Sequence, residues 1–192
     1  MDISRELQQA MNAAEKAVIE ADRTDHVYGV RGGAGPIAPW PMTPCKIIFL
    51  DFDGVLNSEQ SIRELGTRYR FAKNSVAALN VILQQTEARI VISSSWRKHF
   101  ALIENASSLK RDGVISNRVV GKTKALGKER GLDIDAWLHS VPYAVDSFVI
   151  IDDRDDMLMH RERLVRTDSE VGLTIPLARQ AIEILALPWK RQ

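Results

Sequence analysis

An α/β fold with a parallel, Rossmann-like sheet flanked by helices is what this sequence predicts, and three observations carry the prediction. Short β-rich apolar runs alternate with helical patterns from residue 45 onward. Two of those runs lead directly into aspartates, at the strand ends where open parallel sheets place their ligand crevice. The 192 residues, 45% apolar and 27% charged, are enough for one domain with a good core and a short extension.

Residues 1–44 read as that extension, and residues 45–192 as the main domain. Ile3, Leu7, Met11, Ala14, Val18 and Ala21 recur at helical spacing within residues 2–22. This helix is expected to pack on the main domain, with dimerisation as the alternative; the oligomeric state stays open. Gly29, Gly32, Gly33, Gly35, Pro36, Pro39, Pro41 and Pro44 then mark a linker or irregular arm, with Trp40 covering an apolar patch.

The main domain begins with Lys46-Ile47-Ile48-Phe49-Leu50, a short apolar run that reads as a buried strand. Asn74-Ser75 is expected to cap a helix whose face is Val76, Leu79, Ile82 and Leu83. A strand over 88–93 follows, then a helix near 99–110 and a strand or extended loop over 113–120. A helix over 132–140, strands over 147–151 and 163–166, and a final helix with Pro176 in its first turn complete the alternation.

Asp51 and Asp53 follow the first strand, and Asp152, Asp153, Asp155 and Asp156 follow the strand over 147–151. An alternating pattern cannot hide both Asp51 and Asp53 in a core, because an unpaired buried charge is too costly. Neighbouring strands would bring the two acidic clusters into one electronegative pocket, where like charges repel unless a metal or basic groups neutralise them. Oxygen-only ligands favour a hard cation, and Mg²⁺ takes few carboxylates.

These motifs, in this order, resemble those of the haloacid dehalogenase-like (HAD) superfamily of phosphotransferases and phosphohydrolases. The first signature is met by Asp51, Asp53 and Val55; the second by the run ending in Ser93; the fourth by Asp152 and Asp156. The third, a basic residue at a helix start, falls on Arg130, with Lys128 as the alternative. Together the signatures cover residues 46–187. A narrower resemblance is to the HAD domains of multidomain bacterial and phage RNA-repair proteins, which resemble polynucleotide 3′-phosphatases. It rests on Ile92-Ser93-Ser94-Ser95-Trp96-Arg97, on Arg130 before Ile134-Asp135-Ala136-Trp137-Leu138, and on Thr167-Asp168 before Gly172-Leu173-Thr174.

The resemblance implies a HAD-like core and a Mg²⁺-dependent phosphatase. Asp51 would attack phosphorus and form an aspartyl-phosphate, and Asp53 would act as general acid and base. Ser93 and the following N–H groups would hold the phosphoryl oxygens, and Arg130 would offset the remaining charge. Mg²⁺ would be held by Asp51, the main-chain carbonyl of Asp53, and Asp152, with Asp153 and Asp156 behind them. Ser94 and Arg97 are the expected substrate-binding residues. For Arg97 a core carboxylate is an equal alternative, and Trp96 is expected to pack under the sheet.

Other function classes find little support. A net charge of +1 offers no bulk attraction to nucleic acid or membrane. Gly121-Lys122-Thr123 looks like the end of a phosphate loop, but Ser116 stands where the first glycine belongs. His26, His99, His139 and His160 lack zinc-ligand spacing. Cys45, the one cysteine, is expected to be a buried or incidental thiol. With no targeting signal or membrane-length apolar run, the cytoplasm is the expected compartment.

The stretch 58–73 leaves room only for a short flap, so no large cap is expected and the site should be open. That suits phosphate on a protein or a nucleic-acid end. The alternatives are a small-metabolite phosphatase, or a non-catalytic metal- or partner-binding module with the same fold.

Overall fold

The apolar run ahead of Asp51 forms strand β1 (Cys45–Leu50), which lies at the centre of a five-stranded sheet. The computed structural model describes residues 44–127, 129–141 and 144–190; the expected N-terminal helix, nearly all of the Gly/Pro-rich arm, and Lys128 lie outside them. The other strands are β2 (Arg89–Ile92), β3 (Val119–Lys122), β4 (Val145–Asp152) and β5 (Leu164–Arg166). Their order is β3-β2-β1-β4-β5, and every neighbouring pair is parallel. The chain therefore runs outward from β1 through β2 to β3, then returns to the other side of β1 as β4. The reversal puts the topological switch point between β1 and β4, the place where such sheets bind ligands.

Five helices accompany the sheet among the described residues: α1 (Glu59–Leu65), α2 (Lys73–Thr86), α3 (Leu102–Arg111), α4 (Arg130–Ser140) and α5 (Ile175–Ala186). Alternation along the strands separates two apolar layers. Ile48, Leu50, Ile90, Ile92, Val149 and Ile151 pack with residues of α2, α3 and α5. Ile47, Phe49, Val91, Phe148 and Ile150 face Ile134, Trp137 and Leu138 of α4. Both faces of β1 are thus covered, which is why it reads as a continuous apolar run. Burial pushes the Cys45 thiol at its start up to about 11, as befits a packing residue and not a nucleophile.

Among the element boundaries that differ from the sequence expectation, three have a visible tertiary cause or bear on the site. Helix α2 is not capped by Asn74-Ser75: its N-cap is Ala72, which has no side-chain cap. Tertiary bonds set that start instead, since Ala72 N donates to Leu56 O at 2.7 Å and Phe71 N to Asp112 Oδ2 at 3.0 Å. Of the expected extended stretch 113–120, only its last two residues are strand, and Ser116–Arg118 forms a 3₁₀ turn before β3. Helix α4 begins at Arg130, two residues early, because Asp156 caps it from another loop.

No separate cap domain stands over the strand ends among the described residues. Only α1 and its loops lie between β1 and α2, opened by Ser58, whose Oγ accepts from Ser61 N at 3.2 Å, and closed by Gly66. No described helix is long and apolar enough to cross a membrane.

Candidate active site

Parallel register assembles the site. Leu50 pairs with Ile151 on one side and with Ile92 on the other, so the next residues, Asp51, Asp152 and Ser93, stand in a row at the carboxyl edge of the sheet. The ladder continues into this row: Asp51 N donates to Ile151 O, and Ser93 N to Leu50 O, both at 3.0 Å.

Asp51 is 3% exposed and Asp152 is fully buried. Oδ1 of Asp51 accepts from Phe52 N at 2.8 Å, and Oδ1 of Asp152 from Arg154 N at 3.0 Å. Their Oδ2 atoms share one donor, Nη1 of Arg130. Burial, and then the charge of Asp51, push the Asp152 carboxyl up to about 7, although Arg130 pulls the other way. Asp153 is raised for the same two reasons. Burial alone would lower the pKa of Arg130, but Asp51 and Asp152 outweigh it and the guanidinium stays firmly charged.

Two glycines permit this geometry. Gly54 has φ +72°, and a Cβ there would come within 2.6 Å of the Asp153 carboxylate. A Cβ on Gly131 would collide with Met157 O. That close approach lets Asp156 hold the start of α4, with Arg130 N on its Oδ2 at 3.0 Å and Gly131 N on its carbonyl at 3.1 Å. Asp156 thus fixes the helix end from which Arg130 reaches the acids.

Ligand oxygens of Asp51, Asp152 and Asp153 all lie within 4.8 Å of one another. Arg130 is hydrogen-bonded to two of these three carboxylates, and all the ligand atoms of the trio are oxygen. Such a set fits a hard divalent cation, which would neutralise the surplus negative charge. Asp153, expected only behind the ligands, is brought directly into the trio. Its signal in the sequence was adjacency to Asp152 at a strand end.

Asp53 is half-buried, and its carboxylate is held outside that trio. Oδ1 accepts from Asn57 Nδ2 at 2.9 Å and Oδ2 from Trp96 Nε1 at 3.0 Å. Asn57 is fixed in turn by the carbonyl of Arg68 at 2.7 Å. Sequence reasoning missed both partners; the four-residue spacing from Asp53 to Asn57 was the only available hint.

Ser93 is fully buried and its Oγ has no protein partner, which leaves the hydroxyl free for a ligand oxygen. Thr123 sits beside it, one residue past β3, with its N on Ile92 O at 3.0 Å and its Oγ1 likewise buried and unpartnered. It belongs to the Gly-Lys-Thr tripeptide that looked like a phosphate loop. Lys122 ties the next turn together through Nζ bonds to Arg97 O at 2.9 Å and Phe100 O at 3.1 Å.

Both expected substrate contacts are engaged by protein partners. The Ser94 hydroxyl is buried and caps the 3₁₀ turn Ser95–Lys98 by accepting from Trp96 N at 3.3 Å. Arg97 is buried too: its guanidinium pairs with Asp133 of α4 and donates to the carbonyls of Ser93 and, at 2.7 Å, Ser94. Of the two expected roles of Arg97, the core-carboxylate pair is the one these bonds describe. Trp96 is 7% exposed and packs against Phe52, Phe71, Tyr69 and Phe100, as expected.

In comparison with protein families, the model described as the HAD domain in Swiss Army Knife RNA repair proteins aligns with residues 47–178. Curated proteins and solved structures return no match.

Proposed function

Because the chain belongs to the family of HAD domains of Swiss Army Knife RNA repair proteins, we propose that it is a Mg²⁺-dependent phosphomonoester hydrolase acting through an aspartyl-phosphate on Asp51. The observation that carries this reading is the row of Asp51, Ser93 and Asp152, clamped by Arg130 and flanked by a separately held Asp53.

In the first half-reaction an oxygen of Asp51 bonds to phosphorus while the bond from phosphorus to the leaving oxygen breaks. Asp53 gives its proton to that oxygen. In the second, Asp53 takes a proton from water, whose oxygen displaces Asp51 and releases inorganic phosphate. Division of labour follows from the hydrogen bonds: Asp51 is aligned by Phe52 N and Arg130, and Asp53 by Asn57 and Trp96. Ser93 Oγ and Thr123 Oγ1, both buried without a protein partner, and Arg130 would bind phosphoryl oxygens as charge spreads over them. Asp51, Asp152 and Asp153, with the main-chain carbonyl of Asp53, would hold Mg²⁺, which when bound supplies Lewis-acid polarisation of the phosphoryl group.

The substrate we propose is a nucleic-acid 3′-phosphate. The family's RNA-repair description and the absence of a cap domain among the described residues both support it. The test is a phosphate-release assay on 3′- and 5′-phosphorylated oligonucleotides, phosphopeptides and phosphorylated metabolites, with Mg²⁺ and with EDTA. Metal-dependent release from 3′-phosphorylated RNA is expected. Release from none of them would overturn the assignment, and preference for a small sugar phosphate would replace the substrate.

A further inference from the structure

Beside the general acid lies a groove of about 440 Å³ lined by Tyr69, Trp96, Phe100, Glu104, Ser108 and Arg111. Its floor is tied to the chemistry, since the indole that lines it bonds Asp53 through Nε1. An acid that protonates the leaving oxygen must stand on the leaving-group side of phosphorus. A groove that shares one indole with Asp53 is therefore a candidate place for the organic part of a substrate.

Its walls are suited to a flat ring. Tyr69 is 56% exposed, although its backbone is anchored on both sides: N donates to Thr67 Oγ1 at 3.2 Å, and O accepts from Arg111 Nη2. Behind it the Trp96 ring centre lies at 5.7 Å, and Phe100 flanks Trp96 at 5.6 Å. An aromatic side chain supported from behind and open in front is a stacking platform. Arg111 is paired with Asp112, and Glu104 stands on the same rim, so the groove carries no surplus positive charge. It favours a neutral heteroaromatic ring over a second phosphate.

We infer that this groove binds the base of the terminal nucleotide of a 3′-phosphorylated RNA, stacked on Tyr69 and Phe100, with the ribose bridging to Asp53. The inference rests on the phosphatase reading above and specifies its leaving group. A phosphotyrosine carries its ring directly on the reacting oxygen, where the Trp96 indole already flanks Asp53. A nucleotide places a sugar between the oxygen and the ring, which lets the ring reach past the indole into the groove.

The test compares kcat/KM for three substrates: an RNA 3′-phosphate, the same strand with an abasic terminal ribose 3′-phosphate, and a phosphotyrosine peptide. Removing the base should cost the native protein about 10-fold, the worth of one base–aromatic stack. Tyr69→Ala should bring that ratio close to one, and Tyr69→Phe should restore it; a melt confirms that both variants fold. If the native protein turns over both RNA substrates equally, or if Tyr69→Ala keeps the ratio, the base site is overturned and the phosphatase reading stands. Faster, Tyr69-dependent turnover of the phosphopeptide would overturn the nucleobase in favour of a phenol. Release from none of the three, alongside release from other phosphate esters, would overturn the nucleic-acid substrate and the base site together.

Discussion

Trp96 Nε1 donates a 3.0 Å hydrogen bond to Oδ2 of Asp53, joining a buried aromatic cluster to one of the two acids of the DxD motif. The cluster of Phe52, Phe71, Tyr69 and Phe100 around that indole makes the donor rigid. Trp96→Phe keeps an aromatic ring and deletes the donor. We expect phosphate release to slow about 10-fold, the effect of losing an orienting charge-assisted hydrogen bond of ~1.5 kcal/mol. The loss should be greatest with poor leaving groups; equal loss across leaving groups of widely different pKa would place Trp96 outside the acid's control.

Asp51→Asn should reduce steady-state release by ~10³-fold or more with the fold intact, since the isostere loses nucleophilicity but little volume. Asp53→Asn should slow both half-reactions, by about 10²–10⁴ in total. A folded Asp51→Asn protein with native turnover would remove Asp51 as the nucleophile.

Arg130 is the guanidinium bonded to both Asp51 and Asp152. Arg130→Met strands buried carboxylates, which typically costs ~3–5 kcal/mol. The metal-free variant should melt well below the native protein, and Mg²⁺ should raise its Tm by more than it raises the native one. Identical Mg²⁺ shifts in the two proteins would mean that Arg130 and the metal do not share these acids.

The carboxyl of Asp152 is held at about 7 by burial and by Asp51, whereas in the unfolded chain it titrates near ~3.9. The folded value is the higher one, so the metal-free fold holds this contribution below pH ~4 and loses it as pH rises through about 7. Metal binding needs the ionised form. The Mg²⁺-induced rise in Tm should therefore be larger at about pH 8 than at about pH 5.5, and Asp152→Asn should flatten the difference. A shift of equal size at both pH values in the native protein would exclude Asp152 as a ligand.

Arg97→Ala leaves Asp133 buried without its guanidinium and should destabilise the protein by ~3–5 kcal/mol. Where the variant stays folded, any loss of kcat/KM should be the same for an oligonucleotide and a mononucleotide 3′-phosphate. A loss confined to the oligonucleotide would restore Arg97 as a substrate contact.

The chain order of β-rich and helical patterns determined the parallel sheet, because a strand covered on both faces must be apolar at every position and a crossover helix must carry one apolar stripe. Asp51, Ser93, Arg130 and Asp152 were legible for a related reason: each stands at the end of such an element, and element ends are visible locally. Tertiary structure alone decided what those residues touch. Asp153 joined the carboxylate trio because Gly54 lets the first loop pass over it, and Asp156 became the cap of α4 because Gly131 lets two backbones meet. Arg97 and Ser94 were drawn to protein partners for the same kind of reason. Arg97 found Asp133, 36 residues away in the chain, and Ser94 turned into its own 3₁₀ cap. Whether a polar side chain faces ligand or core depends on which partner reaches it first across the fold, and periodicity along the chain carries no record of that distance.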